Sequence, residues 1–312
     1  MLISFVIPVY RNENALILTY RKVKAVLERD LSQYEYEFIF VNDGSDDNSL
    51  DELLSLRQQD NKVQVISFSR NFGQVAAMIA GYKYCRGDVL VSMSADLQDP
   101  AENITKMIRK WEAGNEIVIC HRIQRNDGLG ARIGSKIFYS LMHYVSPRMP
   151  KGGFDFFCLD RCVVDCLNKI DERNRFLQGD ILWMGYNIVM IPYERVKREI
   201  GKSQWTLRKK VKLFIDSLIA MSYLPIRIMS LLGIIVSLIG FIYSAIVFIG
   251  YFYNETPFKG WTPIMMVILI IGGLLMLMLG IIGEYLWRIL DETRKRPLYI
   301  IKEKYLSEDS CK

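Results

Sequence analysis

Apolar residues gather in short runs along the first two-fifths of the chain, and stretches with helical spacing separate them. Leu2–Val9, Tyr36–Val41, Val63–Ser67, Val89–Met93 and Glu116–Cys120 are continuous or nearly continuous apolar runs of strand length. Ala15–Glu28, Leu50–Gln59, Gln74–Cys85 and Asn103–Ala113 carry apolar positions three and four residues apart, the signature of helices with one buried face. Strand and helix therefore alternate as βαβα. That order predicts a mostly parallel sheet covered on both faces, with ligands bound beyond the carboxyl ends of the strands. Four polar clusters fall at such ends: Pro8–Glu13, Asp43–Ser45, Ser69–Asn71 and Asp96–Gln98. Their convergence on one edge is a stronger signal than any one cluster alone.

Further along, the pattern changes class. Ile228–Tyr253 has no charged residue, and Ile264–Leu286 has only Glu284 near its end. Each is longer than the roughly 20 residues that cross a hydrocarbon core. Tyr251, Tyr253, Trp261, Tyr285 and Trp287 sit at their ends, as interfacial aromatic belts do. An integral membrane protein is expected. Basic residues flank the pair, with Arg195, Lys197, Arg198, Lys202, Arg208, Lys209, Lys210, Lys212 and Arg227 before it. Arg288, Arg294, Lys295, Arg296, Lys302 and Lys304 follow it, while the connecting loop Asn254–Pro263 sets Lys259 against Glu255. The positive-inside rule then puts both termini and the N-terminal domain in the cytoplasm, on the cytoplasmic (inner) membrane. No secretory signal is expected, since Met1–Tyr10 is too short and ends in Pro-Val-Tyr. Expected boundaries are a globular domain over 1–200, a juxtamembrane amphipathic region over 201–224, a two-helix hairpin over 225–290 and a basic tail over 291–312.

Composition refines this picture in two places. The 312 residues carry a net charge of +6, and most of the excess lies beside the apolar spans. The partner this charge suggests is an anionic membrane surface, and no nucleic acid is expected. Six cysteines show no CxxC pair and read as apolar fillers, with neither zinc nor disulfides.

The chemistry-bearing residues lie in the loops. Asp96 and Gln98, in Met93-Ser94-Ala95-Asp96-Leu97-Gln98-Asp99-Pro100, present hard oxygen ligands where a strand ends. Such ligands suit Mg²⁺ or Mn²⁺ bound through one or two protein groups and a substrate's phosphates. Asp43, in Val41-Asn42-Asp43-Gly44-Ser45, can accept from a nucleobase imide or a ribose hydroxyl, although Asp-Gly is also ordinary turn chemistry. Glu13 suits a helix N-terminus equally well. Gly128-Leu129-Gly130-Ala131-Arg132-Ile133-Gly134 has its third glycine one residue late and follows the fifth strand, so a dinucleotide fingerprint is excluded. It reads as a loop opening a helix, with Arg122, Arg125 and Arg132 as candidate phosphate contacts. Leu207, Val211, Phe214, Ile215, Leu218 and Ile219 form the apolar stripe of an interfacial helix, and basic residues fall between them. Lys202 and Ser203 lead into it, placed to touch a lipid headgroup phosphate.

Taken together, Val6-Ile7-Pro8-Val9-Tyr10-Arg11-Asn12-Glu13, Val41-Asn42-Asp43-Gly44-Ser45, Ser69-Arg70-Asn71-Phe72-Gly73-Gln74, Ser94–Pro100 and Gly201-Lys202-Ser203-Gln204-Trp205 resemble family 2 glycosyltransferases. Within that family they resemble the bacterial polyprenyl-phosphate glycosyltransferases and dolichyl-phosphate mannose synthase. The resemblance implies an α/β, GT-A (Rossmann-like), mostly parallel sheet domain, followed by amphipathic juxtamembrane helices and two transmembrane helices. It also implies a nucleotide-sugar donor (uridine diphosphate by the bacterial branch), a divalent metal, a polyprenyl (undecaprenyl) phosphate acceptor and inversion at the anomeric carbon.

Carried over by position, Pro8, Tyr10, Glu13 and Asp43 would hold the nucleoside. Asp96 and Gln98 would bind the metal, with Asp96 and Asp155 the catalytic carboxylates. Arg122 would contact the donor's phosphates, and Arg132, Lys202 and Ser203 the acceptor phosphate. Ser94 stands where many relatives have Asp, which reduces the acidic pair to one carboxylate plus Gln98. Gln178-Gly179-Asp180-Ile181-Leu182-Trp183 lacks the Arg of the processive Gln-x-x-Arg-Trp signature, which implies one sugar per acceptor. Two alternatives stay open: a processive membrane synthase, and an inactive nucleotide-sugar-binding membrane partner. The sequence leaves open whether the chain forms a homo-oligomer.

Overall fold

The computed structural model describes residues 1–96, 98–122, 148–150, 153–194, 224–252 and 262–307. The chain divides into two units, Met1–Val211 with Pro297–Lys312, and Lys212–Arg296.

The first unit is built on an eight-stranded sheet. Its first half follows the predicted alternation: β1 (Leu2–Val9), α1 (Leu16–Asp30), β2 (Glu35–Asn42), α2 (Ser49–Gln59), β3 (Val63–Phe68), α3 (Gln74–Tyr84), β4 (Val89–Ser92), α4 (Glu102–Glu112) and β5 (Ile117–Arg122). Then come β6 (Phe156–Asp160), α5 (Arg161–Lys169), α6 (Leu177–Trp183) and β7 (Ile188–Tyr193), and a last strand, β8 (Ile301–Tyr305), follows the second unit. Strand order is β7-β5-β6-β4-β1-β2-β3-β8. β1–β4 are mutually parallel where they pair, and β5 and β7 point the same way. Only β6 and β8 run against them. The mostly parallel α/β sheet predicted from the pattern is what forms.

The central strands carry apolar residues on both faces because helices cover both. All six residues of β3 and all four of β4 are buried. α4 shows the opposite case, a helix with one wet face, burying Ile104, Met107 and Ile108 and exposing Lys106, Arg109 and Lys110. At the amino edge of the sheet, buried Glu37 accepts from Ser4 Oγ, Gln64 Nε2 and the backbone and Nε of Arg86. Four donors leave this carboxylate a structural knot tying β1, β2 and β3 together. The carboxyl edge is where polar groups face one another across loops.

β8 corrects the expectation for residues 291–312. Instead of only a basic tail, this segment supplies an edge strand that pairs antiparallel with β3. Tyr299 stacks on Phe68 at 4.9 Å, Ser69 N donates to Ile300 O at 3.0 Å, and an Arg57 N–H reaches Leu306 O at 2.7 Å.

The second unit contains α7 (Leu224–Phe252) and α8 (Thr262–Thr293). Both are long and apolar enough to cross a membrane over Ile226–Tyr243 and Ile270–Thr293. Glu284, the charge noted within the second apolar run, pairs with Arg288 one turn later at 3.7 Å.

Candidate active site

Every described candidate lies at the carboxyl edge of the sheet. β6 runs backward, so its beginning, next to Asp155, reaches the same edge as the ends of β1, β2, β4, β5 and β7.

The loops after β1 and β2 are laced together by side-chain to backbone bonds. Arg11 N donates to Ser45 Oγ at 3.1 Å, Asn12 N to Ser49 Oγ at 3.0 Å and Asn14 N to Glu52 Oε1 at 2.6 Å. Arg11 and Asn14 adopt positive φ of 53° and 67°, and the bonds hold them there. Glu13 stands at the start of α2: its Oε2 accepts from the backbone N–H of Asn48, the residue that begins that helix, at 3.3 Å, and from Asn48 Nδ2 at 3.4 Å. Pro8, near the end of β1, and Tyr10, just past it, lead into this latticework.

Asp43 is held more tightly than a surface turn residue would be. It is only 2% exposed. One carboxylate oxygen accepts from Phe72 N at 2.6 Å and the other from Gly73 N at 2.9 Å. Burial pushes its pKa up, and the two amides and the nearby Arg70 charge pull against that. Two glycines make the arrangement feasible. Gly44, at φ 64°, lies against the backbone of Arg70, where a Cβ would stand 2.3 Å from the carbonyl carbon. Gly73 takes φ 104° to turn its amide toward Asp43 and start α3.

The loop after β4 carries a second acidic cluster. Asp96 and Asp99 are 6% and 4% exposed. Ser94 Oγ contacts Asp96 Oδ1 at 2.9 Å and also Asp99 Oδ2, while Ser94 N donates to Asp99 Oδ2 at 3.1 Å. Gln98 N faces Asp96 Oδ1 at 3.3 Å. Thr19 of α1 anchors the loop from below, its hydroxyl within 3.0 Å of Ala95 O. A serine hydroxyl has one proton and cannot donate to both carboxylates. The oxygen atoms of Ser94, Asp96 and Asp99 are of the kind that suit a hard divalent cation. Among the described residues no cluster of three or more His, Cys, Asp or Glu could hold a metal unaided.

Asp155 and Arg122, assigned to different roles by the resemblance, are ion-paired at 3.2 Å. Asp155 is the open partner, at 44% side-chain exposure against 16% for Arg122. Gln178 Nε2 also donates to Phe154 O at 3.0 Å and Asp155 Oδ1 at 3.3 Å, so α6 steadies this carboxylate. Burial works against the Arg122 charge, but the Tyr193 hydroxyl, Asp155 and Asp99 outweigh it and raise its pKa. Arg125, Arg132, Lys202 and Ser203 lie outside the described residues.

Two participants escaped sequence reasoning. Asp99 sits within a quoted motif but reads there as a polar turn, and Tyr193 merely ends an apolar run. The tyrosine hydroxyl donates to Asp99 Oδ1 at 3.0 Å across 94 residues of sequence.

Residues 4–166 match Glycosyl transferase family 2, and the chain belongs to that family of enzymes. An uncharacterized glycosyltransferase of Bacillus subtilis, YkcC, is 36% identical over 97% of this chain and 94% of its own length. The bactoprenol glucosyl transferase of Shigella phage SfX is 35% identical over 97% of this chain and all of its own. Among solved structures, mannosyl-3-phosphoglycerate synthase from Rubrobacter xylanophilus has a TM-score of 0.47 at 15% identity, covering 70% of this chain and 71% of that one.

Proposed function

We propose that this enzyme transfers one sugar from a nucleotide-sugar donor, a uridine diphosphate sugar by preference, to the phosphate of a polyprenyl carrier such as undecaprenyl phosphate. The observation that carries the reading is the near full-length similarity to a bactoprenol glucosyl transferase, which extends through both long apolar helices. We place those helices in the cytoplasmic membrane, with both termini and the sheet domain in the cytoplasm, where nucleotide sugars are made.

The acceptor phosphate is anionic at neutral pH and attacks without a strong general base. Its oxygen forms a bond to the anomeric carbon as the bond from that carbon to the donor's diphosphate breaks, inverting the centre. What the protein must supply is alignment and compensation of charge. The loops after β1 and β2, with Pro8, Tyr10, Glu13 and Asp43, hold the nucleoside. Arg122 faces the donor's phosphates, and Asp155, fixed by Arg122 and Gln178, presents an open carboxylate toward positive charge developing at the anomeric centre. Asp96 and Gln98 would hold Mg²⁺ or Mn²⁺, which when bound neutralises the departing diphosphate. Arg132, Lys202 and Ser203 are assigned to the acceptor phosphate on sequence grounds.

The test incubates the detergent-solubilised full chain with undecaprenyl phosphate and a panel of labelled nucleotide sugars. One donor should yield a lipid-linked monosaccharide, and Asp96→Ala should cut the rate by at least roughly a hundredfold. Absence of any lipid-linked product from the panel would sink the reading. Products longer than one sugar would support a processive synthase instead.

A further inference from the structure

Polar side chains form a line along the carboxyl edge of the sheet, and donors from both sides converge on Asp99. Arg122 donates to Asp155 at 3.2 Å and stands directly opposite Tyr193 in the β5–β7 register. Tyr193 in turn donates to Asp99 Oδ1 at 3.0 Å. The opposite oxygen of Asp99 accepts from Ser94, whose hydroxyl also touches Asp96. At one end stands the open carboxylate assigned to the sugar, at the other the carboxylate assigned to the metal.

Tyr193 joins the two ends. The residue is 5% exposed, its ring packs edge-on against Phe156 at 6.2 Å, and its hydroxyl donates to Asp99. Burial, with the Asp99 charge, pushes the hydroxyl pKa well up, so the proton stays on the tyrosine and is donated to Asp99. A tyrosine needed only for packing would require one partner of any kind. This one donates to Asp99 in the loop after β4 and stands opposite Arg122 at the end of β5, which is ion-paired with Asp155.

We propose that Tyr193 is a positioning residue: through Asp99 and Ser94 it sets Asp96 for the cation on the donor diphosphate, and through Arg122 it registers that site against Asp155. The proposal rests on the functional reading above. It adds that metal affinity depends on a residue that is not a ligand, and that Asp99 and Tyr193 act as one unit. Outer-shell partners of metal ligands commonly contribute tenfold to a hundredfold in affinity, because they fix the ligand's orientation.

The test uses the full chain in detergent and reads Mn²⁺ binding by electron paramagnetic resonance of the free ion, with uridine diphosphate present and no acceptor. Tyr193→Phe keeps the ring against Phe156, and Asp99→Asn keeps the shape of the acidic side chain. Each should melt within a few degrees of wild type and weaken Mn²⁺ binding by about tenfold. The double variant should be no weaker than the worse single one, since both break the same line. Unchanged Mn²⁺ affinity in both single variants, or losses that multiply to roughly a hundredfold in the double, would overturn the proposal. Failure of wild type itself to take up Mn²⁺ would remove the metal reading together with this role. Wild-type uptake matched by the variants would remove this role alone.

Discussion

Replacing Asp43 by Asn tests whether this carboxylate anchors the loops proposed to hold the donor or only faces a ligand. The substitution keeps shape and removes one acceptor. Of the two backbone amides now bound at 2.6 and 2.9 Å, one would confront an NH₂ group and lose its partner in a buried place. A hydrogen bond to a charged group contributes about 1.5–3 kcal/mol. Relief from burying a charge, seen in the raised Asp43 pKa, offsets part of that and leaves a net loss of about 1–2 kcal/mol. For a domain of this size the unfolding midpoint should fall by about 2–8 °C.

The sign of the pH dependence also follows. A carboxylate whose folded pKa is raised contributes stability below its ordinary range and loses it as pH rises through the folded value. Asn does not titrate, so the deficit of the variant should be largest at the acid end and narrow as pH increases. Melting of the solubilised protein across that range, with uridine diphosphate binding by calorimetry, checks both expectations. Donor affinity should drop because Phe72 and Gly73 are no longer held. A variant with wild-type melting and wild-type nucleotide affinity would refute the anchoring argument.

Ser94→Asp adds a third carboxylate beside Asp96 and Asp99. It should lower the melting temperature without metal and enlarge the upward shift on adding Mn²⁺, and equal shifts in variant and wild type would count against a cation site there. Gly44→Ala forces a Cβ to within 2.3 Å of the Arg70 backbone at φ 64°, so a loss of about 2 kcal/mol or more is expected in denaturant unfolding, with weaker nucleotide binding. Tyr299→Ala removes the ring stacked on Phe68 and should cost about 1–3 kcal/mol and expose the C-terminal strand to limited proteolysis; unchanged cleavage would mean that β8 holds without it.

The apolar runs of β1 to β5 and the helices between them were legible because a strand buried on both faces must be continuously apolar, and a helix with one wet face must show its period. The site loops were legible for a related reason: once the alternation predicts a parallel sheet, every strand end falls on one known edge. The two long helices announced themselves by length and lack of charge.

Tertiary structure alone decided what those loops do to one another. Nothing local in Ile301–Tyr305, an alternating and basic stretch, says that it will close the edge beside β3; that pairing depends on an unsatisfied strand more than two hundred residues earlier. Phe156–Asp160 is too short for its apolar character to reveal a strand running backward between β4 and β5. Asp43 displays its chemistry in the sequence, but its amide partners belong to the loop after the next strand. Asp99 and Tyr193 are unremarkable in their own surroundings and become a unit only when β4 and β7 end at the same edge. Local pattern specifies an element and the face it buries, because burial is a property of single residues. Hydrogen-bond partners across the sheet are a property of pairs, and only the folded chain brings those pairs together.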